Sequence, residues 1–247
     1  MGIPERTYTD PSVEQQHKAV YPDHWERYEF AIPYVKNKRI LDVACGSGYG
    51  TALLARQGAS HAIGLDLESG AVSWAQKYYG NFANYQTVLS DEPWPVETGT
   101  VDVVVSMETL EHVTDPGFFL QQIARCLAPD GIVVMSTPLN ETASRLSPHN
   151  PFHLREYSWE EFGDLLSGEF EIQERWTQIS QAAEKWNSMK MTRLGRGLVK
   201  VKKWLPMRVV NYLRNVYSAN HKSGAGRIVQ GKSDAGNVQL IVAAKKQ

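Results

Sequence analysis

A chain of 247 residues with 26 Lys and Arg against 27 Asp and Glu has a formal net charge of -1, which argues against nucleic acid as a partner of the chain as a whole. The length suits one α/β domain with an insertion and falls short of two full domains. Two cysteines, Cys45 and Cys126, lack metal-ligand spacing and read as reduced thiols of a cytoplasmic protein, and no apolar run reaches membrane-spanning length.

In chain order, residues 1 to about 20 are polar and turn-rich, an arm placed to fold over a ligand. Residues 24–31 carry aromatics at helical spacing and predict a helix packed on a sheet. The apolar run 39–44 predicts the first strand, followed by a glycine-rich turn and a helix over about 49–57. Strand two is expected over 61–66, then a helix over 69–79 with Ser69 as its N-cap. Strand three falls at about 84–89, and strand four, 101–107, is apolar enough for burial on both faces. A helix from about Pro116 to Leu127 begins with proline in its first turn, and the turn 128–131 leads into strand five, 132–137. Ser158 followed by Glu161 is a capping-box signature for a further helix. Strand six is expected at about 170–178 and strand seven at 237–244. Strands alternating with helices predict a parallel, doubly wound α/β sheet with its ligands at the carboxyl ends of the strands.

Between Gln181 and Arg227 there are eleven Lys or Arg and one acid, Glu184. Apolar residues are interleaved with these bases, as in amphipathic helices. The segment reads either as a helical cap with a solvated basic face or as a cap that meets an anionic acceptor or an anionic membrane surface. The expected divisions are therefore an N-terminal arm and helix over 1–38, a core over 39–179, a basic helical insertion over 180–232 and a final core strand within 233–247.

The stretch 39–50 organises the rest. Glycines at 46, 48 and 50 let a ligand approach main-chain N–H groups, but the spacing is not the G-x-G-x-x-G of dinucleotide sites. Taken alone, such a turn serves equally well as a simple strand-to-helix connector. Asp42, just upstream, would repel a pyrophosphate and attract an ammonium group. Asp66 ends the next strand, where a carboxylate meets the hydroxyls of a ribose. A phosphate-free nucleoside bearing a cationic amino acid satisfies both, and S-adenosylmethionine is such a molecule.

With these residues, 41–50 and Asp66, the chain resembles class I S-adenosylmethionine-dependent methyltransferases. The resemblance implies a seven-stranded Rossmann-like sheet whose last strand is antiparallel beside the sixth. It also implies donor contacts from Asp42, Ala44, Gly46, Gly48, Asp66, Leu67 and Met107, and an adenine contact for which Ser90 and Asp91 compete. More narrowly, 27–31 ahead of 41–46, together with 150–157, look like bacterial methyltransferases of surface-polysaccharide and glycosylation pathways. That resemblance implies transfer to a sugar hydroxyl of a glycan, glycolipid or glycosylated metabolite. A phenolic or quinone-precursor acceptor is the alternative, and a non-catalytic nucleoside-binding module a third reading. The implied location is cytoplasmic, at most peripheral to the inner face of the membrane.

A hydroxyl is a poor nucleophile at neutral pH and needs a base or a metal to help remove its proton. The segment after strand four supplies Glu108, Glu111 and His112, which would share one face if they formed a helical turn. His153 is placed to reach the same spot, whereas His149 reads as a turn residue. Glu-x-x-Glu-His resembles the metal-binding motif of the ubiquinone-pathway O-methyltransferases and the small-RNA 2′-O-methyltransferases. The resemblance implies Mg2+ or Mn2+ held by Glu108, Glu111, His112 and His153, although the ligand types also admit zinc. The alternatives are catalysis without metal by His112, His153 or Glu111, and a purely structural role.

Overall fold

The computed structural model describes residues 7–142, 146, 148, 150–179, 227–234 and 236–246. Two helices, α1 (Glu14–Val20) and α2 (Pro22–Val35), precede β1 (Arg39–Val43). The alternating part follows as α3 (Tyr49–Arg56), β2 (His61–Asp66), α4 (Ser69–Tyr79), β3 (Asn84–Thr87) and β4 (Val101–Met107). A 3-10 turn (Leu110–His112), α5 (Pro116–Cys126), β5 (Leu127–Pro138), α6 (Trp159–Leu166) and β6 (Phe170–Ile179) come next. The described chain ends with β7 (Arg227–Gln230) and β8 (Val238–Lys245).

The described strands form one eight-stranded sheet in the order β3-β2-β1-β4-β5-β8-β6-β7. The first five are mutually parallel, as the βα alternation requires, because parallel neighbours need a crossover connection. β8 is antiparallel to both β5 and β6, which bears out the expected antiparallel last strand beside the sixth. The expected total of seven strands is corrected by β7, which pairs antiparallel with β6 from Trp176↔Gln230 to Ile179↔Arg227. Its four residues lie within the stretch assigned to the basic insertion and are too few to show a period-2 pattern. The rest of that insertion, 180–226, lies outside the described residues, as does His149.

Packing accounts for the other elements. One apolar cluster joins β4, β5, α5 and α6 through residues such as Val104, Phe119, Ile123, Met135 and Phe162. The other sits between the opposite sheet face and α2, α3 and α4, with Trp25, Tyr28, Ala52, Tyr79 and Tyr85. Cys45 and Cys126 are both buried and free, small apolar fillers in this setting. The Ser158 capping box forms as expected, whereas Glu68 rather than Ser69 is the N-cap of α4 and makes no side-chain cap bond. The arm, expected to be turn-rich, contains α1. Glu14 pairs with Arg56 at 3.0 Å, and Trp74 donates its indole N–H to the Thr9 carbonyl at 2.7 Å, so the arm lies against α3 and α4.

Candidate functional site

The loop after β1 is built around two carboxylates. Asp66, at the end of β2, accepts the Gly46 N–H at 2.9 Å on one oxygen and the Glu68 N–H at 2.9 Å on the other. It thus ties the glycine loop to the first turn of α4. Ala44 has φ 61, the left-handed region that costs a residue with a Cβ about 1 kcal/mol or more. A Cβ on Gly48 (φ 86) would lie 2.6 Å from the Ala75 Cβ, so only glycine lets the loop press against α4.

Asp42 lies one residue before the end of β1. It is fully buried beneath the loop, accepting from the Thr51 hydroxyl at 2.6 Å and from the Tyr28 hydroxyl at 3.3 Å. Burial pushes its carboxyl up to about 7, against the lowering effect of those two hydrogen bonds. Asp42 therefore anchors the loop from below. Leu67 is 55% exposed just after β2, and Ser90 and Asp91 are both exposed in the turn after β3, so these three lie open at the carboxyl edge of the sheet. Met107 is buried at the end of β4 in the same cluster as Cys45 and Tyr49.

Arg27 was not singled out as a site residue by the sequence reading. It stands on α2 one turn after Asp23, is 5% exposed, and donates to Gln178 at 2.8 Å, while its Nε has no partner. Its positive charge acts on Tyr49, on Asp23 and on Glu111, so it lies between the glycine loop and the segment after β4. The signal available in the sequence was a lone cation inside an otherwise aromatic helical face.

The expected helical turn carrying Glu108, Glu111 and His112 is replaced by a tighter arrangement. Glu108 takes φ 52, which ends β4 before the 3-10 turn begins at Leu110. Its carboxylate accepts from the Ser136 hydroxyl at 2.8 Å and stands outside the group that the other residues form. Glu111, His112 and His153 do come together, with one ligand atom from each within 4.8 Å of the others. The two imidazole rings are 4.9 Å apart at 78°, and His112 Nε2 is 3.8 Å from Glu111 Oε1.

Glu111 is 1% exposed. Its Oε2 accepts from the Thr137 hydroxyl at 3.0 Å, while Oε1 is buried with no hydrogen-bond partner. Burial, and then the neighbouring Glu108 charge, holds its carboxyl well above the usual range. His112 Nδ1 lies 2.9 Å from the Phe152 carbonyl, which can only accept, so Nδ1 carries hydrogen. His153 is bonded at both ring nitrogens, Nδ1 to Glu156 at 2.7 Å and Nε2 to Asn150 at 2.8 Å. The loop that brings it here is clamped to the 3-10 turn by the Leu154 N–H on the Glu111 carbonyl, 2.8 Å. Phe152 and Leu154, on either side of His153, are both more than half exposed.

The donor set fits a divalent ion in part. A buried carboxylate oxygen without a partner and an imidazole held by its far nitrogen are what a ligand shell needs. Three of the four expected ligands converge, and both ring nitrogens of His153 already have protein partners.

A profile of the methyltransferase-domain family matches residues 15–192. A probable S-adenosylmethionine-dependent methyltransferase of Mycobacterium tuberculosis is 34% identical over 164 residues, 66% of this chain and 58% of that protein. A ubiquinone biosynthesis O-methyltransferase of Neisseria meningitidis is 34% identical over 107 residues, 42% of this chain and 45% of that protein. The chain thus spans about half the length of the curated relatives it matches. The solved structure of an S-adenosylmethionine-dependent methyltransferase from Thermotoga maritima superposes with a TM-score of 0.63 at 15% identity, covering 95% of each chain, which is a likeness of fold. Because that family's profile matches residues 15–192, well over half of its length, the chain belongs to the methyltransferase-domain family.

Proposed function

We propose that the chain is an S-adenosylmethionine-dependent O-methyltransferase that removes the proton of its acceptor hydroxyl at the Glu111–His112–His153 cluster. The observation that carries this reading is the convergence of those three side chains at the carboxyl end of β4, with the Glu111 Oε1 buried and unpaired. The glycine loop and Asp66 supply the donor side, since main-chain N–H groups and a ribose-binding carboxylate suit a phosphate-free nucleoside. Arg27, a buried cation with an unpaired Nε, suits the donor's α-carboxylate.

Transfer breaks the bond from methyl to sulfonium sulfur and forms a bond from methyl to oxygen, while the hydroxyl proton passes to an imidazole. The positive charge moves from sulfur to the ring, so no further reactant is needed. Much of the catalysis is positioning, and base assistance contributes about 10²- to 10⁴-fold. Assay of His153→Ala with a competent acceptor tests the reading: turnover at the wild-type rate would overturn it.

The acceptor that we favour is a sugar hydroxyl of a glycan, glycolipid or glycosylated metabolite, on the resemblance carried by 27–31, 41–46 and 150–157. A phenolic acceptor is the second reading, favoured by the exposed Phe152 and Leu154 beside His153 and by the identity to ubiquinone-pathway relatives. Radiolabelled methyl transfer to paired glycolipid and catechol panels separates the two. As an alternative to base catalysis, a divalent ion held by Glu111, His112 and His153 would lower the pKa of the acceptor hydroxyl, the imidazole lone pairs then serving as ligands and not as the base. Full turnover in excess chelator would remove that element and leave the imidazoles as the base. The eleven bases between Gln181 and Arg227 support docking on an anionic membrane surface. Flotation with phosphatidylglycerol vesicles against neutral ones tests it, and equal recovery would sink it. Among the described residues no helix is long and apolar enough to cross a membrane.

A further inference from the structure

We propose that Glu156 is a positioning residue that fixes the His153 ring as its Nδ1–H tautomer, leaving Nε2 to take the acceptor's proton. This rests on the reading of His153 as part of the proton-removing cluster.

Two partners of the ring demand the same tautomer independently. On one side Glu156 Oε1 lies 2.7 Å from Nδ1, and Asn140 Nδ2 donates to Glu156 Oε2 at 2.6 Å. An ionised carboxylate accepts and cannot donate, so Nδ1 carries hydrogen. On the other side Asn150 Nδ2 lies 2.8 Å from Nε2. The orientation of that amide follows from its other end, because Asn150 Oδ1 accepts the Phe152 N–H at 3.1 Å. The Asn150 amide therefore presents N–H to Nε2, which must offer a lone pair. Both partners thus place hydrogen on Nδ1 and the lone pair on Nε2.

The backbone holds this arrangement in place. The Leu154 N–H is fixed on the Glu111 carbonyl, and the Asn140 N–H donates to the Tyr157 carbonyl at 3.1 Å. Residues 140 and 156 are thereby kept opposite each other across the loop. A carboxylate on the far nitrogen fixes the ring's orientation and its tautomer. The Asn150 N–H occupies the position from which an acceptor O–H donates. On exchange, the O–H bond breaks, its proton goes to Nε2, and the oxygen takes the methyl group.

The test reads the tautomer directly, by long-range proton–nitrogen NMR on protein labelled at the histidine ring nitrogens, with the His153 signals assigned by their loss in His153→Ala. The wild-type ring is expected to show its proton on Nδ1 and none on Nε2. Glu156→Ala is expected to release the ring toward the Nε2–H form and to lower kcat about 10- to 100-fold. Affinity for S-adenosylhomocysteine should change by less than about twofold, since the loop after β1 is untouched. Glu156→Asp, which retains a carboxylate, should retain the tautomer and decides the matter if Glu156→Ala does not fold. A wild-type ring protonated at Nε2, or a tautomer unchanged in Glu156→Ala, overturns the proposal. Because the spectrum needs neither acceptor nor turnover, this failure is distinct from that of the site reading, which falls only if His153→Ala keeps its activity.

Discussion

The two ends of the site are built in opposite ways. The donor end is assembled from residues close in sequence: Asp42, Gly46, Gly48, Thr51, Asp66 and Glu68 lie within one βαβα stretch, and each bond among them spans at most 20 residues. The acceptor end is assembled across the sheet, with Glu111 bonded to Thr137 26 residues away and His112 to Phe152 40 residues away. Local assembly makes the donor end an anchored platform. Long-range assembly makes the acceptor end dependent on how β5 and the following loop are placed, so the two should fail separately when mutated.

His153→Ala gives the largest expected separation. Turnover should fall about 10²- to 10⁴-fold, while calorimetry with S-adenosylhomocysteine should find nearly wild-type binding. Asp66→Ala is the converse: it frees the Gly46 and Glu68 N–H groups and removes the proposed ribose contact. Losing charge-assisted hydrogen bonds of about 1.5–3 kcal/mol each should weaken that ligand by at least about tenfold, with the ring nitrogen spectrum of His153 unchanged. If either variant moved both readouts, the two ends would not be separate.

A subtler cut is Gly50→Ala. Its Cβ would fall 2.1 Å from the Tyr28 ring, which bonds Asp42, so overpacking should cost about 1–3 kcal/mol in a denaturant melt. The pH dependence sharpens the same point. With Asp42 raised to about 7 in the folded chain and near 3.9 when unfolded, the folded state holds an extra proton across roughly pH 4 to 7. Its contribution to stability therefore declines as pH rises through that window and is level above it. Asp42→Asn should flatten this slope in melts at pH 5, 6, 7 and 8, and an unchanged slope would assign it to other groups. Ser158→Ala, which removes the capping box of α6, should cost only about 1 kcal/mol.

The same contrast explains what was legible in the sequence. Asp42, the glycines and Asp66 announce themselves because strand, turn and helix periods are local signals, and the parallel order of β1 to β5 follows from them. The burial of Asp42 was not legible because burial is a tertiary property: Tyr28 and Thr51 close over it from two different helices. The Glu108–Glu111–His112 spacing suggested one helical face, but a positive φ at Glu108 turns that residue away. No period reports such a turn. β7 stayed hidden because four residues inside a basic stretch carry too little pattern, and Arg27 because a charge on an aromatic helix reads as solvated until its burial is known.

The place of β8 has a consequence for how the molecule is made. It is the latest described strand in the chain, yet it lies between β5 and β6, so β6 and β7 have no seat on the parallel half until it arrives. During synthesis, strands β1 to β5 with their glycine loop can assemble early, leaving the β5 edge open as a template for stray pairing. A trap for nascent chains halted before residue 238 should therefore find the donor pocket formed and the β5 edge still awaiting its partner.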